Sequence, residues 1–240
     1  MANAGYARAK LINPMRVATY NIHDCIGLDE KFDATRIVSV IQEIDADIIA
    51  LQEVTVDSQG ELVDLFEQST GMQAIDGTIF DRGVGRYGNV ILTKCPIVDN
   101  CLHDISARGL EPRGVIEVTL AINDAPIQAF ATHLGLTFFE RRSQIRRLAQ
   151  LLPERKPALV MGDFNIWGLS WALSPLHKRG YRSHKVKSFP VSPHPFFALD
   201  RIMVNAFVNL NRCWRHVSPL SKIASDHYPV IAEVTLHSIK

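Results

Sequence analysis

The sequence predicts an α/β domain built from two packed sheets, and three observations carry that reading. Apolar runs of strand length alternate with segments of helical periodicity. Neighbouring strands in the middle of the chain follow one another as hairpins rather than through helices. Hydrophobic residues make up 47% of the 240 positions and charged residues 21%, a balance that fills a substantial core and excludes disorder. This length suits one large domain or two small ones. No linker, low-complexity tract or repeat divides the chain, so residues 1–240 are read as one domain.

Taken in order, Met15 to Asn21 is a short apolar strand running into a polar, Gly-containing loop. Ala34, Ile37, Val38, Ile41 and Ile44 share one face of a helix, with Asp33 placed as its N-cap. Asp47 to Glu53 is a buried strand whose apolar run, Ile48-Ile49-Ala50-Leu51, ends in Gln52 and Glu53. Glu61 to Ser69 forms a second helix, closed by Gly71. Strands follow at Tyr87 to Thr93, Val98 to Leu102, Gly114 to Ile122 and Ile127 to His133, with Asn123-Asp124 as the turn between the last two. Phe138 to Leu152 places Ile145, Leu148, Ala149 and Leu152 on one helical face, and Pro153 stops it. Ala158-Leu159-Val160-Met161 is a buried strand, and Ser170 to Lys178 a short helix ending before Gly180. Strands return at Leu199 to Val204, Leu210 to Trp214 and Val230 to Leu236. The irregular stretch Tyr181 to Phe197, carrying Pro190, Pro193 and Pro195, reads as a surface loop that shapes access for substrate.

A net charge of +1 supplies no global field toward nucleic acid or an anionic membrane; it permits a polynucleotide without indicating one. The four cysteines, Cys25, Cys95, Cys101 and Cys213, form no C-x-x-C pair, which argues against a disulfide framework and a structural zinc. Met1 to Lys10 lacks an apolar signal region, and no run of about 18 apolar residues occurs. The expectation is a cytoplasmic monomer with free thiols and no stable membrane association.

Polar side chains collect where these apolar strands end or begin. Asn21 and His23 follow the first, Gln52-Glu53 close the second, and His133 ends the fourth hairpin strand. Asp163 and Asn165 follow Met161, while Asp200 and Asp226-His227 adjoin the last strands. Any one of these is ordinarily a cap or a loop anchor. Together they suggest one shared polar rim, able to bind a hard divalent cation, grip a phosphate and manage protons.

Five segments, in order, carry a resemblance. They are Thr19-Tyr20-Asn21-Ile22-His23, Leu51-Gln52-Glu53-Val54, Thr132-His133-Leu134-Gly135, Gly162-Asp163-Phe164-Asn165 and Ser225-Asp226-His227-Tyr228-Pro229-Val230. From about Val17 to Val234 the chain resembles the endonuclease/exonuclease/phosphatase superfamily, which includes deoxyribonucleases, abasic-site endonucleases, sphingomyelinases and inositol polyphosphate 5-phosphatases. The resemblance implies a four-layer sandwich, with two mainly antiparallel sheets face to face and helices outside. It implies a Mg2+- or Mn2+-dependent hydrolase of phosphodiester bonds, with DNA or RNA as first substrate. A phospholipid or sphingolipid, a sugar or inositol phosphate, and a catalytically silent binding protein of the same fold are the alternatives.

The same resemblance assigns roles, and the residue chemistry agrees with them. Glu53 would hold the metal, supported by the Asn21 amide oxygen and the Asp226 carboxylate; the plain alternative for Glu53 is a strand-end salt bridge. Asp163 would act as general base, or serve only as a metal ligand, with Asn165 donating to the scissile phosphate. His227, oriented by Asp200, and His133 would face the phosphate. Arg113 and Asn89 are further phosphate contacts, with a turn or surface role as the alternative. His23 stands where several nuclease relatives carry Asp, so it is assigned to substrate phosphate or water rather than to a second metal. Arg141, Arg142, Arg146 and Arg147 make a helix face basic, either as a solvated surface or as a phosphate-tracking stripe.

Overall fold

Strand-length apolar runs pair into two sheets in the computed structural model, which describes residues 14–122, 125–168 and 170–237. The eleven strands are β1 (Met15–Asn21), β2 (Ile48–Val56), β3 (Gln73–Asp81), β4 (Arg86–Thr93), β5 (Ile97–Asp104), β6 (Gly114–Ile122), β7 (Ala125–His133), β8 (Ala158–Asp163), β9 (Asp200–Val204), β10 (Val208–Arg215) and β11 (Val230–Leu236). Four helices accompany them: α1 (Ala34–Ile44), α2 (Glu61–Thr70), α3 (Phe138–Leu151) and α4 (Ser174–Lys178). One sheet runs β10-β11-β1-β2-β4-β3 and the other β5-β6-β7-β8-β9.

Period-2 alternation splits the apolar residues into three clusters and so fixes the layers. Val17, Ile48, Ile91, Ile116, Ala129 and Met161 are among those meeting between the sheets. Ala18, Ile49 and Val90, on the opposite face of the first sheet, pack against Ile37, Ile41 and Phe66 of α1 and α2. Phe130 and Val160, on the outer face of the second sheet, pack against Ile145 and Leu148 of α3 and Leu176 of α4. The result is helix, sheet, sheet, helix.

Asp33 and Gly71 cap α1 and α2 where the sequence places them. Asp33 accepts from the Arg36 amide, and Gly71 takes the left-handed conformation (φ 69°) that closes α2. Thr137 and Glu140 form a capping box at the start of α3. Two readings are corrected. β3 is an additional edge strand, hidden in the sequence by Gly77 and its polar neighbours. That glycine is required, because a Cβ there would lie 2.3 Å from Ile116 Cγ1. The segment Tyr181 to Phe197 is also more than a surface loop, since Tyr181 and Ser188 are fully buried. The expected turn at Asn123-Asp124 lies outside the described residues.

Each sheet is antiparallel except for one central pair, β1 with β2 and β7 with β8. A parallel pair brings two strand C-termini to the same edge. Asn21 is thereby registered against Gln52, and His133 against Asp163. β9 runs antiparallel to β8 with Asp200 opposite Asp163, and β11 antiparallel to β1 with Val230 opposite Thr19. Asp200 and the segment just before Val230 therefore reach the same edge. The topology gathers the polar rim.

Candidate active site

Backbone conformations that side chains seldom adopt aim the groups inward. Glu53 sits at φ 56° in a bulge of β2, where the register with β4 slips between Leu51 and Val54. Asn165 has φ 50°, a left-handed conformation that Asn tolerates better than most residues. Gly162 has φ 153°, and a Cβ there would lie 1.9 Å from the Thr132 carbonyl oxygen, so only glycine lets β8 approach β7 just before Asp163.

The side chains then link into one network. Asn21 Nδ2 donates to Glu53 Oε1 at 2.8 Å and to Asp163 Oδ2 at 3.3 Å. Asp163 Oδ1 accepts from the Asn165 backbone amide at 2.8 Å. His227 Nε2 lies 3.8 Å from Asp163 Oδ2 and 4.0 Å from Asp226 Oδ1. On its other side, His227 Nδ1 is 2.8 Å from Asp200 Oδ2, which also accepts from Ser188 Oγ at 2.5 Å. His133 Nε2 lies 3.7 Å from Asp163 Oδ2 and 4.0 Å from Glu53 Oε1. Asn165 Nδ2 donates to the Leu134 carbonyl at 2.8 Å and sits 3.1 Å from His133 Nε2.

Burial sets the charges apart. Burial first, then the nearby Asp200 charge, pushes Asp163 up to about 7, against the lowering action of His227, the Asn165 amide and Asn21. For His227, burial alone would lower the pKa, but the charge and hydrogen bond of Asp200, with Asp163 and Asp226 behind it, raise it to about 10. Burial, then the charges of Arg113 and His227, hold His133 well below the ordinary histidine value. His133 is thus neutral, and its approach to Asp163 is a contact between a neutral ring and a carboxyl, not an ion pair. His227 is the imidazolium.

A cavity of about 460 Å3 opens over these groups, lined by Glu53, Asp163, Asn165, His133, Asp226 and His227 among others. Arg113 lies on its wall, mostly buried, with Nη2 2.8 Å from Glu111 and Nη1 3.4 Å from His133 Nδ1. A larger groove of about 750 Å3 carries Asp57, Asp64, Asp76 and Asp81 but no histidine among its lining residues, and none of these carboxylates is buried. The reactive pairings belong to the smaller cavity.

Three placements differ from expectation. Asn21 Oδ1 accepts from the His23 backbone amide at 3.0 Å, so its amide nitrogen, not its oxygen, faces the carboxylates. The His23 ring turns back, with Nδ1 3.1 Å from the Ile26 carbonyl, and does not line the cavity. Asn89 is buried mid-strand with Nδ2 3.5 Å from the Gly114 carbonyl, and it does not line the cavity either. In α3, Arg147 donates to the Ser106 carbonyl and Arg141 to the carbonyls of Gly135 and Leu136, which leaves Arg142 and Arg146 as the exposed cations not held by such bonds.

Several residues of the site were not singled out from the sequence. Ser188 holds Asp200, and Phe189 packs its ring 4.7 Å from that of His227. Arg82 lies 3.2 Å above the Tyr87 ring and pairs with Glu111 at 3.2 Å. Arg82 follows Asp81 at the end of β3, a strand the sequence hides, and only proximity in the fold identifies Ser188 and Phe189.

As donors for a hard cation, Glu53 and Asp226 are available oxygen ligands on the cavity wall, with side chains 23% and 33% exposed. Asp163, Asp200 and His227 also bring ligand atoms within 4.8 Å of one another, but Asp200 and His227 are already bound to each other. Arg82 and Arg113 line the same cavity but pair with Asp24 and Glu111, and among the described residues neither Glu53 nor Asp226 pairs with a lysine or arginine. Those two carboxylates fit a divalent ion. Among the described residues, no helix is long and apolar enough to cross a membrane.

Known proteins are similar to this chain over most of its length. The YbhP protein of Escherichia coli K12, itself uncharacterized, is 30% identical over 256 residues, covering 92% of this chain and 96% of that protein. A Bacteroides vulgatus endonuclease/exonuclease/phosphatase structure superposes with a TM-score of 0.76 at 20% identity, covering 93% of this chain and 99% of that one. The mannosyl-6-phosphatase Bt3783 of Bacteroides thetaiotaomicron superposes with a TM-score of 0.72 at 19% identity, covering 92% and 100%. The profile of the Endonuclease/Exonuclease/phosphatase family matches residues 18–227, a span that takes in every polar strand end described above. The chain belongs to the endonuclease/exonuclease/phosphatase family, with its four-layer phosphoesterase fold.

Proposed function

We propose that the protein is a divalent-metal-dependent hydrolase of phosphodiester bonds. The observation that carries the reading is the pairing of Asp163, poised at about 7, with an Asp200-bound imidazolium 3.8 Å away. A base is most effective with a pKa near the working pH, and such a group contributes roughly 10²–10⁴-fold. Asp163 aligns a water for in-line attack on phosphorus and takes its proton as the new P–O bond forms. His227 presents positive charge to the phosphoryl oxygens as the bond to the leaving oxygen breaks, and Asp200 with Ser188 holds the ring in place. Asn165 and Arg113 supply donors to the same phosphate. Neutral His133 braces Asn165 beside them. Glu53 and Asp226 are the residues to hold Mg2+ or Mn2+, with Asn21 fixing the Glu53 carboxylate. When bound, the ion supplies Lewis-acid stabilisation of a phosphoryl oxygen.

Mg2+ or Mn2+ is expected to raise the melting temperature and to support hydrolysis of a bis-aryl phosphate. At about a hundredfold excess over Kd the gain is about 2.7 kcal/mol. Glu53→Gln should abolish most of both effects while retaining the apo-protein's melting temperature. Turnover of the bis-aryl ester at equal rate in the presence of a chelator would overturn the metal assignment, and no turnover with any divalent ion would overturn the enzymatic one.

A further inference from the structure

A second, smaller cavity of about 230 Å3 adjoins the catalytic one, and Trp167 lines both. Its lining includes Lys185, Lys187, Arg201, Phe196 and Phe197, and no carboxylate. Arg201 is only 3% exposed, and its Nε has no hydrogen-bond partner among the described residues. That nitrogen is itself sealed from solvent, so the guanidinium acts on the cavity through its charge, which burial leaves poorly solvated. Lys185 and Lys187 flank Val186, which packs against the core between the sheets. Both lysines are exposed and line the cavity, while Val186 between them packs inward. Three cations thus face one concavity in a protein whose net charge is only +1. The indole beside them is held by edge contacts to Phe189 and Phe197, with centroids 5.4 Å and 5.0 Å away, and remains 42% exposed.

We propose that this cavity is an anion subsite for the phosphate next to the scissile one, with the intervening base of a single-stranded polynucleotide stacked on Trp167. The inference rests on the phosphodiesterase reading above and narrows its substrate class. Aromatic stacking needs an unpaired base, and a stacked base between two bound phosphates is the repeating unit of a single strand. A substrate with only one phosphate leaves the three cations unused. Burial lowers the Arg201 pKa, against the raising action of the Asp200 charge beside it.

The test uses the full chain as Asp163→Asn, which removes cleavage, and calorimetry with a single-stranded DNA dinucleotide and trinucleotide carrying one and two phosphodiesters. The trinucleotide is expected to bind about tenfold or more tightly, and Lys185→Ala/Lys187→Ala to shrink that margin to about twofold and flatten the salt dependence of trinucleotide binding. On the Asp163 background, the same double substitution should leave bis-aryl phosphate hydrolysis within about threefold of its parent. Arg201→Gln should act as the lysine pair does; the exposed lysines decide the matter where that buried substitution fails to fold. Equal binding of the two oligonucleotides, a margin untouched by the lysine substitutions, or tighter binding of an inositol bisphosphate than of the trinucleotide would each overturn the subsite. Failure of the phosphodiesterase reading shows separately, as absent bis-aryl phosphate hydrolysis by the unsubstituted protein.

Discussion

Asp163→Asn is expected to lower kcat/KM on a bis-aryl phosphate by about 10³–10⁴-fold while making the protein more stable. The loss follows from removing the only carboxylate bonded at once to the Asn165 amide and to Asn21 and facing His227. The gain follows from linkage. Because the folded-state pKa of Asp163 lies above its ordinary value, the folded chain binds more protons there than the unfolded chain, and stability falls as pH rises toward about 7. Each unit corresponds to about 1.4 kcal/mol, which bounds the relief near 4 kcal/mol. Losing a partner for the His227 charge offsets part of that, leaving about 1–2 kcal/mol, or roughly 2–8 °C in Tm, at pH 8. The stabilisation should shrink below pH 7, where Asp163 is already protonated in the native state. Thermal melts from pH 5 to 8 read it directly, and a destabilised Asp163→Asn protein at pH 8 would mean that burial is not what raises this carboxyl.

His227→Ala should have the largest effect on stability. It strips the fully buried Asp200 of its cationic partner, when Oδ1 of that carboxylate already lacks any hydrogen bond among the described residues. Breaking a buried pair on one side costs about 3–5 kcal/mol. Asp200→Asn/His227→Gln removes both charges and should recover most of the loss, so a double-mutant cycle reports the coupling. The charged pair stabilises where an ionised Asp163 destabilises, yet the pH dependence runs the same way: the raised His227 pKa makes the contribution complete below the ordinary histidine value and lost as pH climbs through about 10.

On the proposed reading the same two groups shape activity. With Asp163 ionised above about 7 and His227 charged below about 10, kcat/KM should follow a bell with its plateau between those values. Asp200→Asn removes the strongest opposition to burial and leaves only Asp163 and Asp226 to raise the His227 pKa, so the alkaline limb should move down and the maximum fall about 10²–10³-fold. An alkaline limb that stays in place in Asp200→Asn would remove His227 from the charge-bearing role.

Much of this could be read before any coordinates. α1 was legible because its apolar spacing and the Asp33 cap agree, α3 because its apolar spacing runs up to Pro153, and β1, β2, β8 and β11 because each is an apolar run closed or opened by a polar motif. Asp163, Asn165, Glu53 and His227 were legible as ordered motifs. What local sequence does not carry is partnership across the fold. Ser188 meets Asp200 only because the proline-bearing segment folds inward. Trp167 acquires its place from rings 22 and 30 positions further along the chain, Phe189 and Phe197. The direction of an amide such as Asn21 depends on which donors surround it, and motif matching is blind to that.

The placement of one parallel pair at the heart of each sheet has a further consequence. Asn21 and Glu53 ride on one layer, Asp163 and His133 on the other, and contacts of about 3–4 Å span the seam between them. Turnover is therefore a gauge of how the halves of the sandwich dock. Loosening that leaves every strand and helix intact still pulls Asp163 away from Glu53, so on the proposed reading function fades ahead of any change in circular dichroism.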